Sequence, residues 1–309
     1  MKPHRSVLEV LAYLPPATVA NTAALVCRQW SRLASEDELW QDFADLHDID
    51  LSLIPGRSKK ERYCEVLFSA LSLPILTAKK LAWFNFTSTR WSYYAILDPI
   101  HVDLSSFLVN LKSGILLALG GSQSAHNKSA YTVTFGAVRQ LADMESGRKS
   151  PGAVLYDKSV YVFGGINCLT SEKLSLEAET WTRLSPLLTN KSEFTPCVYQ
   201  TEIYLLAGSS CSYSPLTNEF TDLSISHGSR GYSLFLDPNI VLVTSHTIIH
   251  INPKNLKSRE EDFPSWGYGG ICTQAVHHCQ SIWVTFNTVV LQLHLPSLST
   301  TIHEHNNAS

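Results

Sequence analysis

Charge is scarce in this chain: 17% of its 309 residues are Asp, Glu, Lys or Arg, and 24 basic against 27 acidic side chains leave a formal net charge of -3. Neither sign gathers in one stretch, so there is no global basic field of the kind that draws in nucleic acid or anionic lipid. Long apolar runs are missing too. The longest, such as GILLALGG, fall far short of the ~20 residues that a helix needs to cross a bilayer, and no basic start followed by an apolar run reads as a signal peptide. The seven cysteines, at 27, 64, 168, 197, 211, 272 and 279, are odd in number and widely spaced, which suits reduced core thiols better than a disulfide framework. A cytoplasmic or nuclear protein is therefore expected. What the chain has in quantity is apolar character, 44% of its residues, enough for one large domain or for a large and a small one.

That apolar character follows two different periods. In SVLEVLAYLPP, Val7, Leu8, Leu11 and Leu14 recur at spacings of three and four until Pro15 and Pro16 stop the helix. In TVANTAALVCRQWSRLAS, Val19, Ala23, Val26, Cys27, Trp30, Leu33 and Ala34 form the stripe of a second helix. Ser35 with Glu38 reads as a capping box that starts a third, EDELWQDFADL. A unit of this size buries little surface, and Trp30, Trp40 and Phe43 put large side chains on more than one side of it. Two readings stay open on pattern alone: the aromatics dock the helices internally, or a partner covers them. Helical spacing returns in KKERYCEVLFSALSL, 59 to 73, read as a linker helix ended by Pro74.

Beyond residue 80 the period falls to two. GILLALGG, KSVYVFGG, TEIYLLAG, NIVLVTSH and SIWVTF are short strands rich in β-branched and aromatic residues, with no long amphipathic helix between them. This excludes a doubly wound parallel sheet. They recur at steps of roughly 35 to 45 residues, the period of repeated four-stranded sheets. Each is followed by a further strand, and counting strands of this second kind gives six, near 83, 132, 174, 214, 249 and 290, of which five have an obvious preceding glycine strand. The diglycines at 120–121 and 164–165 mark backbone positions where a β-carbon would obstruct the turn or where φ is positive. Trp91, Trp181 and Phe220 fall in equivalent places and are expected to fill the wedges between sheets. The first repeat is expected to lack its early strands before Leu81.

The amino-terminal stretch KPHRSVLEVLAYLPPATVANTAALVCRQWSRLASEDELWQDF resembles the F-box, with Pro3, a leucine-bearing helix, the Leu14-Pro15 step, Val26-Cys27, Trp30 and Leu39-Trp40; Lys2 and His4-Arg5 depart from its usual start. The stretch GAVLYDKSVYVFGGINCLTSEKLSLEAETWTRL, 152 to 184, resembles a kelch repeat, and later copies lack the diglycine. Together the two resemblances imply a multi-domain chain: a small all-alpha F-box-like head at 1–46, a linker with a helix at 47–80, and an all-beta kelch-like propeller of six blades at 81–309. They also imply a substrate-recognition subunit of an SCF-type cullin-RING ubiquitin ligase. The head would bind the small adaptor subunit, and through it the cullin, while the propeller would hold a protein substrate. Carried over residue by residue, the resemblance puts Pro3, Leu8, Leu11, Leu14, Pro15, Val26, Cys27, Trp30, Leu39 and Trp40 at or just behind the adaptor contact, with Trp40 as an anchor.

Catalytic motifs are not expected to contribute. There is no GxSxG and no glycine-rich phosphate loop with lysine. His277, His278 and Cys279 offer metal-ligand chemistry, but consecutive strand residues point to opposite faces and cannot readily converge on one ion. No cofactor, metal, nucleic-acid or membrane partner is expected. Substrate contact is expected from the polar loops at 122–129, 166–172 and 209–215, each following a glycine strand. The competing reading is a non-ligase propeller scaffold for cytoskeletal or signalling proteins.

Overall fold

The structure is a computed structural model that describes residues 19, 28–46, 58–63, 72–76, 80–85, 89–95, 107–111, 116–120, 127–134, 137–188, 194–206, 209–225, 231–244, 247–262, 272–278, 281–286, 289–295 and 299–304. The chain divides into two compact units near residue 70. In the first, helix α1 (Arg28–Leu33) turns through residues 34–36 into α2 (Asp37–Leu46), and residues 59–63 form a further helical turn. The capping box expected at Ser35 and Glu38 does not form. The Ser35 hydroxyl donates back to the Ser31 carbonyl at 2.9 Å, and α2 starts with Asp37 and Glu38 in its first turn, where carboxylates suit the helix dipole. A reciprocal box does form at Ser58 and Glu61: the Glu61 amide donates to Ser58 Oγ at 3.3 Å and the Ser58 amide to Glu61 Oε2 at 3.4 Å.

Among the described residues the second unit contains six antiparallel sheets whose strand order follows the chain. The first has three strands, β1 (Ser72–Leu76), β2 (Lys80–Asn85) and β3 (Arg90–Ala95). The second comprises β4 (Phe107–Asn110), β5 (Leu116–Leu119), β6 (Ala130–Thr134) and β7 (Ala137–Gln140); the third, β8 (Gly152–Tyr156), β9 (Ser159–Phe163), β10 (Ser171–Ser175) and β11 (Thr180–Leu184). The fourth holds β12 (Thr195–Tyr199), β13 (Glu202–Leu206), β14 (Cys211–Ser214) and β15 (Glu219–Asp222); the fifth, β16 (Gly231–Leu236), β17 (Asn239–Thr244), β18 (Thr247–Ile251) and β19 (Ser258–Asp262). The last is β20 (Cys272–His278), β21 (Ser281–Phe286), β22 (Val289–His294) and β23 (Ser299–Glu304).

The apolar strands read from sequence are the second strands β5, β9, β13, β17 and β21, and the six followers are β2, β6, β10, β14, β18 and β22. Two expectations fail at the start of this unit. Ser72 and Leu73, read as the end of a linker helix, pair as strand with Asn85 and Phe84, so the sheets begin ahead of the expected 81 and the first sheet has a strand before Leu81. Helical and strand patterns both fit so short an apolar run, and pairing with β2 decides between them.

From the second sheet to the sixth, each packs face to face on the next through apolar residues of both. Leu117, Leu119 and Ala130 meet Val160, Val162 and Leu174 between the second and third sheets. Phe163 meets Ile203 and Tyr213, Tyr204 meets Ile249, and Val241 meets Ile282 across the following interfaces. The sixth sheet packs back on the first: Trp283 and Val290 meet Ala82 and Phe84, with the Phe84 and Trp283 rings 5.7 Å apart. The first strands stand side by side, β4 against β8, β8 against β12, β12 against β16 and β16 against β20. The equivalent aromatics hold equivalent registers, Phe84 opposite Trp91, Leu174 opposite Trp181 and Tyr213 opposite Phe220, and each packs in an inter-sheet wedge as expected. Gly120 and Gly164 adopt φ of 68° and 54°. A β-carbon on Gly120 would stand 2.6 Å from the Arg148 carbonyl oxygen, so this turn admits no side chain.

Candidate functional site

In the helical unit the large side chains turn inward. Leu33, Leu39, Trp40, Phe43 and Tyr63 are all buried, and the rings of Trp40, Phe43 and Tyr63 lie 5.4 to 5.8 Å apart. Trp40 donates its indole N–H to the Ala34 carbonyl at 2.9 Å, closing the turn between α1 and α2. The Lys60 ammonium sits 5.6 Å from the Trp40 ring centroid, a cation–π contact from the helical turn that also supplies Tyr63. The Lys59 amide donates to Asp37 Oδ1 at 3.1 Å, tying that turn to the start of α2.

Trp40 is therefore internal to this unit, and Leu39 is buried beside it. Lys60 and Tyr63, which lie against Trp40, fall beyond the pattern of the first three helices. Trp30 is half-buried. Pro3, Leu8, Leu11, Leu14, Pro15, Val26 and Cys27 lie outside the described residues. The exposed face of α2 presents Glu38, Asp42 and Asp45.

In the sheet unit, up-and-down order places the connections after second and fourth strands at one end of each sheet, and the first–second and third–fourth hairpins at the other. The expected loops 122–129, 166–172 and 209–215 follow second strands and so belong to the first of these ends, but two run into strand: residues 171–172 open β10, and 211–214 are β14, where Cys211 and Tyr213 are buried. The loop-like polar composition of SSCSYS misled here, because the backbone hydrogen bonds to β13 and β15 are indifferent to which small side chain carries them.

At this end lies a network that sequence reading missed. Arg148, in the connection between β7 and β8, is fully buried, and its Nη2 donates to Glu172 Oε1 at 2.7 Å and to Thr170 Oγ1 at 2.8 Å. Its Nη1 donates to the carbonyls of Gly164 at 2.7 Å and Thr170 at 2.6 Å, with Cys168 Sγ at 3.4 Å. Glu172 accepts in turn from the amides of Glu145 at 2.7 Å and Ser146 at 3.0 Å. The Arg148 amide donates to the Asn127 carbonyl at 2.9 Å, and Asn127 Nδ2 to the Gly120 carbonyl at 3.0 Å. Arg148 thus ties three connections together, two through its guanidinium and the third through its backbone amide. The only hint in sequence is a Glu inside the apolar-polar strand SEKLS.

The thiols at this unit differ in reactivity. Burial pushes the Cys197 thiol up to about 12, with the Ser233 hydroxyl opposing the shift, whereas Cys168 is half-buried. In the folded protein near pH 8, iodoacetamide is expected to modify Cys168 well before Cys197, because the thiolate is the attacking form; peptide mass spectrometry over a time course checks the order. Equal rates would contradict it. His277 and His278 lie in β20 opposite Ile282 and Ser281, and Cys279 lies outside the described residues. Among the described residues no cluster of His, Cys, Asp or Glu is arranged to hold a metal ion, and no helix is long and apolar enough to cross a membrane.

Residues 3–44 match the family model described as F-box-like. The chain accordingly carries a small helical F-box-like region followed by a β-rich region of several antiparallel sheets, and the F-box-like domain suggests an adaptor role of the SCF type. No curated protein matches the chain.

Proposed function

We propose that this protein is a substrate-recognition subunit of an SCF-type cullin-RING ubiquitin ligase. The carrying observation is the F-box-like match over residues 3–44, in a chain whose remainder is a separate β-rich unit. The head binds the small adaptor subunit and through it the cullin, and the β-rich unit binds a protein substrate. We further propose that the six sheets are the blades of a kelch-like propeller: the second to the sixth pack in series, and the sixth packs on the first through Trp283 and Phe84, which supports this reading. Closure of the first sheet on the second would remove the exposed faces that an open row of sheets leaves at each end.

The chain itself performs no covalent chemistry in this reading. It holds a substrate lysine near a charged ubiquitin-conjugating enzyme, converting a bimolecular encounter into a tethered one at raised effective concentration. The buried Trp40 cluster acts behind the adaptor contact, fixing how α1 and α2 present Trp30 and the residues before it. Purified full-length protein is expected to bind the adaptor directly, and Leu8→Glu or Leu14→Glu is expected to weaken that binding by at least about tenfold, roughly 1.4 kcal/mol, with the thermal midpoint of the sheet unit unchanged. Calorimetric titration measures it. Absence of binding by the intact protein would overturn the ligase reading in favour of a stand-alone scaffold.

A further inference from the structure

We propose that the loop end of the second and third sheets is a docking surface for an extended protein segment carrying aliphatic side chains among carboxylates. This names the substrate chemistry of the unit and rests on the substrate-recognition reading above. Two of the four exposed large hydrophobic residues among those described stand here, Leu169 at 44% and Leu188 at 63% exposure. The Leu187 amide donates to the Leu169 carbonyl at 2.8 Å, so the two exposed leucines lie on adjacent backbone. Leu187 itself is buried in the core between the third and fourth sheets, which fixes the segment that carries Leu188.

Cationic residues stand on the neighbouring connections. The Lys149 carbonyl accepts the Ile166 amide at 2.8 Å, placing Lys149 beside the connection that carries Leu169, and the Lys128 carbonyl accepts the Met144 amide at 2.9 Å. Neither lysine has an ion-pair partner among the described residues. The carboxylates nearby are largely committed: Glu172 is buried on Arg148, and Glu145 stands 3.3 Å from the Arg183 guanidinium. Asp143, exposed and hydrogen-bonded to Gln140 at 3.5 Å, is the remaining one. Lys128 and Lys149 against Asp143 leave a net positive uncommitted charge, and complementarity selects an acidic partner.

The Arg148 network supplies the third requirement. A buried ion pair is costly to desolvate and adds little net stability compared with apolar packing, yet here it is placed where it orders two surface connections, with the Arg148 amide holding a third. A surface held rigid before binding loses less conformational freedom when a partner arrives. Burial, charge and rigidity converge on one end of two adjacent sheets.

Three synthetic fluorescent peptides test this against the full-length protein by polarisation: one with leucines among aspartates and glutamates, one with the same leucines among lysines, and one with serines replacing the leucines of the first. The first is expected to bind most tightly. Both K128E/K149E and L169S/L188S are expected to weaken it by about tenfold, and added salt to weaken it in the parent and the leucine variant more than in the lysine variant. Lys128, Leu169 and Leu188 are exposed and Lys149 is half-buried, and the thermal midpoint of each variant verifies folding. Equal binding of the basic peptide, unchanged binding to both folded variants, or no binding of any peptide would overturn the proposal. Adaptor binding is measured on the same preparations, so that loss of the ligase reading registers separately from loss of this surface.

Discussion

Arg148→Met is expected to be among the most damaging single substitutions in the sheet unit, lowering the unfolding free energy by about 3–5 kcal/mol, the usual cost of removing one member of a buried ion pair. The loss would come from Glu172, 1% exposed, whose charge would then face only the two amides of Glu145 and Ser146, and from the carbonyls of Gly164, which would lose its donor, and Thr170, which would keep only the Gly164 amide. Urea unfolding of the full chain measures the change. Pairing the substitution with Glu172→Gln is expected to recover part of the loss, because the amide oxygen still accepts a backbone N–H while the unpaired buried charge is gone. A double variant at least as unstable as the sum of the single ones would show that the ionic character of the pair is not what holds these connections. The exposed pair Lys158–Glu177 offers a contrast at the hairpin end: although its 2.8 Å separation is nearly the same, both side chains are more than 70% exposed, and its removal is expected to be almost silent.

Trp40→Ala is expected to cost the helical unit about 3–5 kcal/mol, the range for truncating a buried aromatic. The cavity would open between Phe43 and Tyr63, and the Ala34 carbonyl would lose the indole donor that closes the α1–α2 turn. Limited proteolysis is expected to show faster cleavage within residues 28–63 while the strands of the sheet unit stay protected. Trp40→Phe keeps most of the packing and loses the hydrogen bond, so its cost is expected to be nearer 1–2 kcal/mol. Adaptor binding would fall in Trp40→Ala in step with the unfolded fraction of the head. A variant that stayed fully folded yet lost adaptor binding would instead return Trp40 to the interface itself, against its complete burial in the structure.

Much of the sheet unit was legible because its signals repeat. A single Gly-Gly or a single tryptophan says little, but Trp91, Trp181 and Phe220 at equivalent offsets from their strands predicted equivalent wedges, and the shared registers bear that out. The second strands of most sheets are buried and read as apolar runs, whereas the outer strands do not. β15 and β19, EFTD and SREED, are mostly exposed edges whose residues answer to solvent, and no periodicity marks them. β1 was misread for a different reason. The five residues SLPIL are too short to show a period and follow a helical pattern directly, so only their pairing with β2 identifies them as strand.

The candidate sites divide along the same line. The F-box-like spacing of Pro3, Leu14-Pro15, Val26-Cys27 and Leu39-Trp40 is local, and the family match over residues 3–44 agrees with it. Local spacing does not reveal which of those residues face outward. Trp40 became internal because Lys60 and Tyr63, some twenty positions later, fold over it. The Arg148–Glu172 pair likewise joins residues 24 positions apart whose individual letters are unremarkable polar ones.

The sequence by itself determined that a helical head precedes a region of repeated short strands, since periodicity and turn chemistry are properties of neighbouring residues. Only the tertiary structure decided which aromatic is buried, where the first sheet begins and which charges are spent inside the fold. Those outcomes depend on contacts between distant segments, whose energies no local pattern contains.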